Sequence, residues 1–261
     1  MEFGVALVLT LFLIGFIGSF ISGMVGIGGS IIKYPMLLYI PPLLGVAAYT
    51  AQEVSAISAI QVFFASLAGM IAYRKSGMIH RKLVVMMGIP IVIGSFIGGF
   101  GSKYLPDSAI NLIFAFMALA AATMMFMPKR GESQANSQNV EFSSSIAGTS
   151  AGVVGTLSGI VGAAGAFITI PIMLVILKVP TRVAIASSLA ITFLSSIGSA
   201  AGKVFGGHML LMPSIIMVVA SLIASPLGAM LGQKVNVKLL QWVLVILITA
   251  TVVKIWWDIF A

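Results

Sequence analysis

The sequence has no cysteine at all. Disulfides, thiolate metal sites, iron–sulfur clusters and covalent thiol chemistry are therefore excluded. Histidine is nearly as scarce: His80 and His208 stand far apart, with no carboxylate at ligand spacing, so no zinc or haem centre is expected. Charged residues make up only 8% of the 261, against 60% hydrophobic. A soluble domain carries about 25% charged residues, and one of this size has too little interior to hide such a composition. Acidic side chains number 6 against 14 basic ones. The bases fall in short connections between apolar runs, where they orient a protein in the bilayer instead of binding nucleic acid. There is no His-Glu-x-x-His, no Gly-x-Ser-x-Gly elbow, no Walker motif and no close carboxylate pair. No enzyme activity and no cofactor are expected.

What the chain does have is apolar length; its mean hydropathy is +1.17. About ten apolar segments follow one another: Phe3–Val25, Ile31–Leu44, Ala51–Tyr73, Leu83–Phe100, Ser108–Met127, Ile146–Val161, Phe167–Leu177, Val183–Val204, Met209–Leu231 and Leu239–Trp257. A helical span needs ~20 apolar residues. The strands of a β-barrel would instead alternate in short segments. The sequence therefore predicts an all-α, multi-pass protein of the cell membrane. One polar stretch, Lys129 to Glu141, is rich in Ser, Asn and Gln. It divides the chain into a first transmembrane repeat over 1–128, a linker over 129–143 and a second repeat over 144–261.

The two halves resemble each other. Gly23, Gly26, Gly29 and Pro35 recur with the same spacing as Gly159, Gly162, Gly165 and Pro171. Ser66, Gly69 and Gly77 recur as Ser195, Gly198 and Gly206, and Gly101-Ser-Lys103 as Gly232-Gln-Lys234. Duplication of this kind is common in secondary transporters. The expected architecture is two repeats of four to five membrane segments each, inverted relative to each other, with broken helices at the glycine motifs. The lysine and arginine distribution favours the inverted arrangement with short segments that cross: Arg74, Lys75, Arg81, Lys82, Lys129, Arg130, Lys178, Arg182, Lys234 and Lys238 then share one side, with Lys103, Lys203 and Lys254 on the other. Each glycine costs a helix up to ~1 kcal/mol relative to alanine, and loose backbone at membrane depth is tolerated only when buried or lining a cavity. Close packing through small residues is the other reading of one such run; finding it twice, each ending in proline, favours a break.

The paired glycine motif, the length, the absence of cysteine and the basic loop after the third segment resemble the TauE/SafE family of sulfite and organosulfonate exporters. The resemblance covers nearly the whole chain and both halves. It implies a secondary transporter, an exporter, of small sulfur-containing anions such as sulfite, sulfonates or sulfoacetate, with the glycine motifs near the transport path. In the second half Ala163-Ala164 replace Ile27-Gly28, which leaves that motif stiffer. The alternatives are an anion channel or the permease subunit of a larger complex. The transporter reading allows coupling to protons or sodium, and a homodimer.

The expected site lies at mid-membrane between the two breaks. Gly26, Gly28, Gly29, Gly162 and Gly165 would supply backbone N–H groups, since half-helix N-termini attract anions. Ser30, Ser58, Ser188 and Thr192 would add hydroxyls; Ser187, Ser195 and Ser196 share the helix of the last two, and such hydroxyls also glue helices together. Lys33 stands in an otherwise apolar segment. It reaches an anion or water, or else snorkels to the interface. Glu53 follows Gln52, with Ser55, Ser58 and Gln61 at helical spacing. It reads as a coupling-proton carrier or as an interfacial residue. No metal site is expected.

Overall fold

The structure is a computed structural model. It describes residues 4–26, 30–126, 142–207 and 209–236, and from the C-terminal segment residues 239, 240, 242, 245, 246, 249, 250, 253, 256 and 257. Gly28, Gly29 and nearly all of the polar linker lie outside the described residues, as do His208 and Lys254. Nine helices are described: α1 (Val5–Val25), α2 (Ser30–Leu43), α3 (Ala51–Tyr73), α4 (Arg81–Gly101), α5 (Asp107–Phe126), α6 (Ser144–Val161), α7 (Ala166–Pro171, prolonged by a π-turn over Ile172–Ile176), α8 (Thr181–Gly206) and α9 (Leu211–Lys234). Residues of the C-terminal segment are helical as well. Among the described residues, seven helices are long and apolar enough to cross a membrane. The protein is an all-α, multi-pass membrane protein.

Each long helix carries two kinds of residue. Large apolar side chains such as Ile89, Ile93 and Ile97 recur four apart on an exposed stripe, the face an apolar solvent accepts. Small residues face inward and let backbones touch, which matters because lipid gives packed helices no hydrophobic reward for associating. Gly23 and Gly228 bring α1 against α9, and Gly98 and Gly159 bring α4 against α6. A Cβ at any of the four would overlap a carbonyl oxygen of the facing helix. The first helix of each half thus crosses the fourth helix of the other.

Helix directions follow from the contact registers. Gly15 meets Met217, and Gly23 meets Ser225, so α1 and α9 run parallel. Ser225 Oγ donates to Ala65 O, and Gln233 Nε2 to Ala72 O, so α9 and α3 run parallel too. Gly94 meets Gly152 and Gly98 meets Thr156, while Gly198 meets Val92 and Gly202 meets Phe100, so α4 runs parallel to α6 and α8. The central pair runs oppositely: Lys203 meets Ser55, Phe193 packs on Phe63, and Leu189 lies at Gly69. Hence α1, α3 and α9 point one way, and α4, α6 and α8 the other. This is the direction set an inverted repeat requires. Because α1 and α3 run the same way, the chain returns across the bundle before α3, and α2 is the described helix on that path. At 14 residues, α2 extends only about 21 Å of that path.

The basic residues separate by end. Arg182 Nη1 and Nη2 donate to Gln233 O and Val235 O, and His80 N donates to Ser187 Oγ. The start of α8, the end of α9 and the α3–α4 turn with Arg74 and Arg81 therefore share one end of the bundle. Lys103 and Lys203 lie toward the other.

Candidate functional site

Both glycine motifs end a helix and begin another. α1 terminates at Gly26 (φ +77) and α6 at Gly162 (φ +73), both left-handed, a backbone in which glycine alone is free of Cβ strain. Each turn is pressed into the other half. A Cβ on Gly26 would lie 2.7 Å from Ile185 O, and one on Gly162 would overlap Ser55 O. Ser188 Oγ sits 2.7 Å from Gly26 O and 2.8 Å from Ile185 O, closing the first turn onto α8. In the second motif Ala164 holds φ +49 and Gly165 φ +66. α7 starts at once on Gly165, whose carbonyl accepts from Thr169 N and Thr169 Oγ1. A side chain at Gly165 would crowd Val154 and Ser158, so its replacement tests the fold as much as any ligand.

The two turns do not face each other. Gly26 lies at Ser188 on α8, whereas the end of α6 lies at Lys203, and 15 residues of helix between them span about 22 Å. They bracket the middle of the bundle. Four buried polar atoms with no hydrogen-bond partner belong to this middle: Lys33 Nζ, Ser58 Oγ, Gln61 Oε1 and Thr192 Oγ1. A helical serine or threonine ordinarily returns its proton to the preceding turn, as Ser55, Ser66, Ser95 and Ser196 do here. Ser58 and Thr192 do not.

Two of the four lie against α1, and the other two stand one turn from residues that meet α1 or its end. Gln61 Nε2 donates to Ser19 Oγ at 2.9 Å and approaches Gly15 O of α1. Ser58 stands one turn before Gln61 on the same face of α3. The stem of Lys33 lies across Gly18 of α1, close enough that a Cβ there would overlap its Cγ. Thr192 follows Ser188 by one turn of α8, and Ser188 already meets the end of α1. Lys33 is wholly buried, held in α2 next to Tyr34, whose hydroxyl donates to Asn111 Oδ1 at 2.8 Å and whose ring stacks on Phe114 of α5. Snorkelling, one of the two readings of Lys33, does not occur.

Lys203 is the second buried lysine; from the sequence it counts only as one of the three basic residues on the side opposite Arg74. Its three N–H groups reach Ser55 Oγ at 2.5 Å, Ser102 Oγ at 2.7 Å and Ile160 O at 2.8 Å. Both hydroxyls send their own protons to Gln52 O and Gly99 O, leaving lone pairs for the lysine. Lys203 ties α3, α4, α6 and α8 together where α6 ends. Glu53 is an end cap: Glu53 Oε2 accepts from Thr50 N, and Glu53 N donates to Thr50 Oγ1. It lies at the end of α3, away from the unpartnered group. Ser30 opens α2. Among the described residues no cluster of His, Cys, Asp or Glu could hold a metal.

The sequence profile of the sulfite exporter TauE/SafE family matches residues 11–255. The chain belongs to the TauE/SafE family. The match takes in both glycine turns, Lys33, Lys203 and the central helices α3 and α8. Two family-like relatives agree with a membrane transporter. One is a probable membrane transporter protein, YunE, of Bacillus subtilis (strain 168), 25% identical over 244 residues, covering 87% of this chain and 89% of the relative. The other is a probable membrane transporter protein, MJ0441, of Methanocaldococcus jannaschii, 28% identical over 252 residues and 92% of each chain. No solved structure matches. As a TauE/SafE member the protein is a membrane transporter, and Lys33, Ser58, Gln61 and Thr192 are its candidate site.

Proposed function

We propose that this TauE/SafE protein is a secondary exporter of small sulfur-containing anions, sulfite among them, and that Lys33 supplies the charge that receives the anion. One observation carries the reading: the Lys33 amino group is fully buried at mid-bundle with no hydrogen-bond partner. A charged group inside a membrane protein is expensive and ordinarily faces a partner or a substrate path. A small anion is the complement that the site lacks. The hydroxyls of Ser58 and Thr192 stand ready to donate to its oxygens, and the first turn of α2, three residues before Lys33, adds the partial positive charge of a helix start.

The two halves, 1–128 and 144–261, act as inverted repeats in this scheme. The glycine turns at Gly26 and Gly162 bracket the site from opposite ends, so each is placed to yield when its side opens. Rocking one half against the other exposes the anion alternately. The end carrying Arg74, Arg81, Lys82, Lys178, Arg182 and Lys234 is the cytoplasmic one by the distribution of positive charge.

Purified protein in liposomes tests the proposal. Labelled sulfite should enter under an imposed proton or sodium gradient, with saturation and counterflow. Flux without saturation would make the protein a channel. A requirement for a nucleotide-binding partner would make it a permease subunit. No movement of any sulfur oxyanion would overturn the reading.

A further inference from the structure

Gln61 has an orientation that its surroundings fix. Its Nε2 donates to Ser19 Oγ at 2.9 Å and lies 3.5 Å from Gly15 O, an oxygen that would repel the amide oxygen if the group were turned over. The amide oxygen must therefore point away from α1, and there it has no partner although it is buried. It accepts and cannot donate. The middle of the bundle thus offers three groups able to donate, on Lys33, Ser58 and Thr192, together with one obligate acceptor.

The charge count is equally restrictive. Lys33 is the one charged side chain among the described residues of α1 and α2. On α3, Glu53 is occupied in its end cap. On α8, Arg182 is committed to Gln233 O and Val235 O, and Lys203 to its three oxygens. On α5, Asp107 is exposed at the helix start and accepts from Gln52 N, so one positive charge is left to be matched in the middle of the bundle.

Resting on the anion-transport reading above, we infer that the site takes a singly charged oxyanion that carries a hydrogen-bond donor of its own, such as a hydrogen-bearing oxyanion or a hydroxysulfonate. The single charge answers Lys33, the anion's oxygens accept from Lys33, Ser58 and Thr192, and its O–H donates to Gln61 Oε1. A dianion with no proton would turn only acceptors toward Gln61, leaving two desolvated acceptors opposed and one charge unanswered. A buried polar group left without its partner is the costly outcome, and this is how a site rejects an analogue that lacks one hydroxyl.

Competition against labelled sulfite uptake in proteoliposomes tests this with 2-hydroxyethanesulfonate, ethanesulfonate and sulfate. The first two differ by one hydroxyl and carry the same charge; sulfate is a dianion. The hydroxysulfonate should compete at about three- to tenfold lower concentration than ethanesulfonate, the range expected for one net hydrogen bond, and sulfate should be the weakest. Gln61→Met should bring the ratio of the two sulfonates to about one. Equal competition by the two sulfonates in the wild-type protein, sulfate as strong as either, or a ratio that survives in Gln61→Met would overturn the inference and leave the transport reading standing. If Gln61→Met fails to fold, the wild-type ratio alone decides. Absence of sulfite uptake altogether would remove both.

Discussion

Two lysines are buried in this bundle, and they differ in what surrounds them. Lys203 gives each of its three N–H groups to an oxygen, and two of those oxygens belong to serines already oriented by their own helices. Lys33 is more deeply buried and has no hydrogen-bond partner. The cost of desolvating an ammonium is several kcal/mol in either place. At Lys203 the fold offsets that cost in the folded protein; at Lys33 it does not. The satisfied cation joins helices, and the unsatisfied one is the group to which the proposed function gives a ligand. Burial alone would have put the two residues in one class.

The comparison breaks most severely at Gly162, which holds Ser55 against the end of α6 beside Lys203. Gly162→Ala adds a Cβ that overlaps Ser55 O at a positive φ, combining a backbone clash with left-handed strain. The loss should exceed ~4 kcal/mol, the exceptional range for one substitution, and yield no monodisperse protein in detergent on size-exclusion chromatography. Next comes Lys203→Met. It strips the charged donor from Ile160 O and two serines and should cost about 1–3 kcal/mol, read as a lower Tm, while the folded fraction keeps the wild-type half-saturation for sulfite. Ser55→Ala removes one of the three acceptors and should cost about 1 kcal/mol by the same assay. A Tm unchanged in both would show that Lys203 joins nothing.

A subtler test concerns the seat of Lys33. Gly18→Ala places a Cβ where the lysine stem lies, while an alanine inside α1 gains up to ~1 kcal/mol of helix propensity. Half-saturation for sulfite should rise several-fold, with a modest fall in Tm, because the overlap with the buried stem costs about 1–3 kcal/mol and the helix propensity offsets only part of it. An unaltered half-saturation would mean that the position of Lys33 does not matter to the anion.

Much of this was legible in the sequence, because the membrane imposes strict rules. Helical spans, the glycine turns at Gly26 and Gly162 and the gathering of basic residues at one end follow from apolar length, glycine's freedom and charge distribution. Lys33 could be singled out because it interrupts an apolar run. Lys203 could not be told from a loop base, since its three partners come from residues 55, 102 and 160 and no local pattern announces them. Gln61 was one polar residue among several on α3. The role inferred for it comes from which of its two amide ends faces α1, a matter of packing. The α1–α9 and α4–α6 crossings were equally hidden, for each joins residues from opposite halves of the chain.

Lys33→Met tests the central claim most directly, with stability and sulfite uptake measured on the same preparation. Methionine keeps the length of the side chain and removes its unpartnered amino group. The account predicts a Tm equal to or above that of the wild type, because no hydrogen bond in the fold is lost, together with sulfite binding weakened by about ten- to a hundredfold, the worth of one charged hydrogen bond. A variant that transports sulfite normally, or one that loses stability as Lys203→Met is expected to, would contradict it.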